Sequence, residues 1–83
     1  MAKHSHQFVE TYQGPVCFGL NRETDENTLA CFLQKFSDDA LITVMKQRFS
    51  DRELVELFDQ LSDLLRRHLN ESEYHTLFLK ERE

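Results

Sequence analysis

No stretch of this 83-residue sequence approaches the ~18 consecutive apolar residues that a membrane-spanning helix needs. The opening run from Met1 to His6 has no apolar segment behind its charge, so a secretory leader is not expected either. Glycine is nearly absent. The two present, Gly14 and Gly19, fall in the first twenty residues, and the chain contains neither a glycine-rich phosphate loop nor a Gly-x-Ser-x-Gly nucleophile elbow. Cysteine is scarce too: Cys17 and Cys31 stand fourteen positions apart with no Cys-x-x-Cys, and no His-Glu-x-x-His or His-x-x-x-His pairing offers a closed zinc site. Both cysteines are expected to be thiols packed as small hydrophobes. These absences leave no catalytic, cofactor or metal residue to assign. They point to a soluble, cytoplasmic protein that is not an enzyme.

What remains is enough for one small folded domain over residues 1–83. The hydrophobic fraction is 40% and the charged fraction 30%, with both signs mixed, which is too apolar for a disordered chain. The net charge of −5 is unevenly spread. Residues 1–20 carry one positive and one negative charge, residues 21–48 four and five, and residues 49–83 five and nine. Nucleic-acid binding depends on Lys and Arg displacing counterions from phosphates, so the acidic C-terminal half disfavours it. Arg66-Arg67-His68 is the one local basic patch.

A recurring Phe-Ser-Asp-x-x-Leu pattern organises the middle of the chain. It occurs at Phe36 to Leu41 and at Phe49 to Leu54, with a looser copy from Leu69 to Tyr74. Each copy reads as a helix start: Ser37, Ser50 or Asn70 caps the first amides, acids follow at the positive end of the helix dipole, and the preceding apolar residue staples onto the first turn. Glu53 and Glu73 complete capping boxes; Ala40 cannot. Between these starts the apolar spacing is helical. Leu29, Phe32, Leu33 and Phe36 mark a helix over about 24–36. Leu41, Val44, Met45 and Phe49 mark one over 38–48. The run from Leu54 to Leu69 marks a long one over 51–69, and Tyr74, Leu77 and Phe78 a short one over 71–79. One- or two-residue connections predict steep crossings, hence a mainly α fold: a small four-helix orthogonal bundle.

Before these helices, residues 1–20 are expected to form a β-hairpin or an extended arm. Phe8 to Tyr12 and Val16 to Leu20 are rich in β-branched and aromatic residues, and Gln13-Gly14-Pro15 between them is a turn signal. A lone hairpin is marginal in water and would lie on the helices through Phe8, Tyr12, Val16, Phe18 and Leu20.

Function is read from surplus apolar surface. At 100° per residue, Leu54, Val55, Leu57, Phe58, Leu61, Leu64, Leu65 and Leu69 cover about half of the long helix, more than the ~100° stripe of a helix packed on one side. The plain explanation is a central helix embraced by the others. The sharper one is a partner surface or self-association surface, for which Phe8, Tyr12, Phe18, Val55 and Leu69 are the candidate residues. The expected function is accordingly a protein–protein interaction, regulatory or adaptor module, able to form a homodimer.

Two alternatives come from other classes. Residues 38–65 have the topology of a helix-turn-helix nucleic-acid-binding regulator, but Asp51, Glu53 and Glu56 occupy the turn where base readout calls for Arg, Lys, Asn or Gln. A metal- or thiol-dependent role would draw on Cys17, Cys31, His68 and His75. The two histidines are seven apart with no ligand-spaced partner. His68 suits the last helical turn, where a cation meets the terminal carbonyls. His75 shows no partner in the sequence. If Met1 is removed, Ala2-Lys3-His4 offers amine, amide and imidazole nitrogens for Cu(II) or Ni(II), with His6 as a supplement.

Overall fold

A computed structural model describes residues 5–81 of the chain. It is mainly helical, and no strand occurs among the described residues. The chain divides into two compact units, Met1–Arg48 and Phe49–Glu83.

The first unit holds α1 (Gln7–Thr11), α2 (Arg22–Phe36) and α3 (Asp39–Arg48). The expected β-hairpin is not there. Gln7–Thr11 instead closes one helical turn, with the Tyr12 N–H donating to the Phe8 carbonyl at 2.9 Å and the two rings stacked at 5.3 Å. The second presumed strand lies in the irregular stretch 12–21, whose polar groups are taken up by side chains. The Tyr12 hydroxyl donates to the Pro15 carbonyl at 2.8 Å. Cys17 exchanges two hydrogen bonds with the Thr28 hydroxyl, and the Gly19 N–H donates to Asp25 Oδ1 at 2.8 Å. A strand needs a ladder partner for its amides and carbonyls. Here side chains of α2 supply those partners, so pairing of the two segments loses its advantage.

The start of α2 is Arg22, two residues before the expected Thr24, because Asn21 is the cap: its side chain accepts from the Thr24 N–H at 2.8 Å. Its inward face is also a correction. Thr24, Thr28 and Cys31, at i, i+4 and i+7, are the three buried residues among those described, whereas Leu29, Phe32 and Leu33 of the expected apolar face are exposed. The Thr28 hydroxyl, which satisfies both backbone polar groups of Cys17, turns that side of the helix toward the 12–21 segment in place of the larger side chains. Cys31 is a packed small thiol as expected; Cys17 is exposed and is not.

At the start of α3, Asp38 does what Ser37 was expected to do. The Asp38 carboxylate accepts from the Ala40 N–H at 3.3 Å, and its carbonyl from the Ile42 N–H at 2.9 Å. Ser37 turns back, donating to the Gln34 carbonyl and meeting His6 Nε2 at 2.9 Å. Asp38 also receives the Ser5 amide and hydroxyl, so this corner is tied to the segment before α1.

The second unit holds α4 (Asp51–His68) and α5 (Glu71–Glu73), which continues into a π-helical turn, Tyr74–Phe78. Both expected capping boxes are present. Ser50 accepts from the Glu53 N–H at 3.1 Å while Glu53 accepts from the Ser50 N–H at 2.9 Å; Asn70 and Glu73 do the same at 2.8 and 2.9 Å. Past Glu73 the turn widens, with the Leu79 N–H reaching the Tyr74 carbonyl and the Tyr74 and Phe78 rings stacked at 5.3 Å.

Candidate functional site

The long helix α4 is locally well specified. Its start has the Ser50–Glu53 box and the acids Asp51 and Glu53; its last turn has Arg66, Arg67 and His68, the sign order that its dipole favours. Along its polar side Arg52 pairs with Glu56 at 3.5 Å and Asp63 with Arg67 at 2.8 Å, both at i, i+4. The Asp63–Arg67 pair is one the spacing predicts.

None of the apolar residues of α4 is buried. Leu54, Leu57, Leu61 and Leu64 recur at intervals of three, four and three, the a/d spacing of a helix–helix seam, and each is about 40% exposed. Phe58, beside that row, is 70% exposed, and Val55 59%. Glu53, Gln60 and Arg67 run along the other edge of the row at seven-residue intervals. A third strip, Ser62, Leu65 and Leu69, faces Tyr74 and with Arg66, Asn70 and Glu71 lines a pocket of about 400 Å³ within this unit.

The residues expected to bind a partner are thereby sorted. Val55 is exposed on α4, as a docking residue must be. Leu69 is half-buried and belongs to the pocket beside Tyr74. In the first unit Phe8 and Tyr12 are half-buried and stacked on each other, while Phe18 is 66% exposed on the bend before α2. Phe8, Tyr12 and Phe18 lie in one unit, Val55 and Leu69 in the other. The row Leu54-Leu57-Leu61-Leu64 and the adjoining Phe58 belong to the wide apolar sector for which the sequence leaves both a central-helix and a partner-surface reading open. The signal that sets this row apart within the sector is the three-four-three interval, which is narrower than half the circumference and has charge along one edge.

Among the described residues no three His, Cys, Asp or Glu side chains gather where they could hold a metal ion. His68 is exposed at the end of α4. His75, expected to have no partner, meets Glu81: Nδ1 and Oε1 lie 2.6 Å apart. The Ala2-Lys3-His4 site lies outside the described residues. The pKa of the exposed Arg22 is raised by its hydrogen bond to Glu26 and by that carboxylate's charge. Such surface pairs do not form a reactive centre. No helix among the described residues is long and apolar enough to cross a membrane.

Compared with protein-family models, curated proteins and solved structures, the chain matches none.

Proposed function

We propose that this chain is a small, non-enzymatic protein–protein interaction module of the cytoplasm, regulatory or adaptor-like, which works by offering the apolar row of α4 to a helix of a partner. The observation that carries the reading is the exposure of Leu54, Leu57, Leu61 and Leu64 together with Phe58 on a helix whose start is fixed by a capping box. A run of apolar side chains left open along several helical turns costs free energy in water, and burying it against a second helix recovers about 25 cal/mol for each Å² of apolar area removed.

Hydroxyl-radical footprinting of dilute protein tests this. Phe58 is expected to react as readily as the exposed Phe18, and Leu57 and Leu61 about as readily as the similarly exposed Leu33. Strong protection of the row in a monomer would mean that the chain covers it internally, and the interaction reading would be wrong.

A further inference from the structure

We infer that the partner of the α4 row is a second copy of this chain, docked antiparallel across a two-fold axis at the level of Asp59. The inference rests on the interaction reading above and goes further by naming the occupant and its register.

The charge pattern carries it. Opposed antiparallel about Asp59, Leu54 meets the second copy's Leu64 and Leu57 the second copy's Leu61, so all four leucines of each chain form a-to-d layers. The same register sets Glu53 beside the second copy's Arg67, Gln60 beside the second copy's Gln60, and Arg67 beside the second copy's Glu53. Each of these pairs is offset by two residues, about 3 Å along the axis. On the opposite edge Phe58 comes against the second copy's Phe58. The contact is self-complementary, as a two-fold interface requires. A parallel pairing has none of this: Glu53 would face Phe58, and the acidic starts of both helices, Asp51, Glu53 and Glu56, would lie together. Both charged partners retain capacity. Glu53 uses Oε1 for the Ser50 amide, leaving its second oxygen, and Arg67 uses Nη2 for Asp63, leaving its other donors.

The test uses the full chain in sedimentation equilibrium over about 1 to 500 μM, because so short a seam lies at the low end of stable interfaces and predicts association on the order of 10 μM. The wild type is expected to shift from the 9.9 kDa monomer to twice that mass. Glu53→Arg and Arg67→Glu, each alone, place like charges at both cross-pairs and are expected to associate about tenfold more weakly. An equimolar mixture of the two variants restores both opposite-charge pairs and is expected to recover the dimer. Glu53→Gln keeps a capping side chain yet removes the charge, so its weaker association with unchanged helix content separates pairing from folding. A dimer that the mixture fails to restore overturns this register. A wild type that stays monomeric overturns the second copy as occupant: a radical-reactive row then leaves the interaction reading standing with a foreign helix in that place, and a protected row removes both.

Discussion

The Thr28 hydroxyl holds both backbone polar groups of Cys17, accepting from the Cys17 N–H at 3.0 Å and donating to its carbonyl at 3.0 Å. One side chain in the middle of α2 thereby does the work of a neighbouring strand residue for a segment without a ladder. Thr28→Val keeps the shape and removes both bonds. Because Cys17 is exposed and water can replace part of the loss, the expected cost is about 1 to 2 kcal/mol by urea unfolding, and Thr28→Ser should recover most of it. Hydrogen exchange supplies the local readout: the Cys17 amide should lose protection in the valine variant while the amides of α4 do not change.

The two thiols should be chemically unequal. Cys17 is exposed and Cys31 is buried at 4% exposure. A thiol-specific reagent in native buffer is expected to modify one thiol quickly and the second only as fast as α2 opens, with Cys17→Ser abolishing the fast phase. Equal rates for both would mean that the Thr24–Thr28–Cys31 face is not covered.

The parts of this fold that could be read from the sequence are those whose physics spans three or four residues. Ser50 with Glu53 and Asn70 with Glu73 are complete in themselves, so their boxes and the starts of α4 and α5 were evident from spacing. The same holds for Asp63 with Arg67. The hairpin failed because the decision was not local: Phe8 to Tyr12 is as compatible with a helical turn as with a strand, and the Gln34 side chain that receives the Val9 amide at 2.9 Å lies far along the chain. The inward face of α2 failed for a related reason. Periodicity shows that Leu29, Phe32, Leu33 and Phe36 share a side, but it cannot show that the Thr28 hydroxyl is wanted by the backbone of Cys17. On α4 the width of the apolar sector was apparent, yet its division was not: Leu65 and Leu69 line a pocket with Tyr74, while the leucine row and Phe58 are exposed.

Capping substitutions should separate the three related helix starts. Ser50→Ala and Asn70→Ala each break a reciprocal box and are expected to cost about 1 kcal/mol. Ser37→Ala should cost only a few tenths of that, because Asp38 supplies the side-chain cap of α3 and Ser37 bonds outward to Gln34 and His6. Asp38→Ala should exceed Ser37→Ala, since it also releases the Ser5 amide and hydroxyl. Thermal unfolding followed by circular dichroism gives the ranking, and a Ser37→Ala as damaging as Ser50→Ala would contradict the assignment of the cap.

Gly14 and Tyr12 should be energetically coupled. A methyl group built on Gly14 would run into the Tyr12 ring at its hydroxyl and at Cζ and Cε1, well inside contact distance. The ring has little room to yield, because Phe8 stacks on it and its hydroxyl is bound to the Pro15 carbonyl. Gly14→Ala is therefore expected to cost about 1 to 3 kcal/mol in the wild-type background, through displacement of the ring and loss of that hydrogen bond. With Tyr12→Ala already in place those three close contacts are gone, and a loop glycine replaced by alanine lowers the entropy of the unfolded chain, so the second substitution should cost far less or be neutral. The double-mutant cycle measures the difference directly, and a coupling below about 0.5 kcal/mol would show that Tyr12 does not occupy the space over Gly14 in solution.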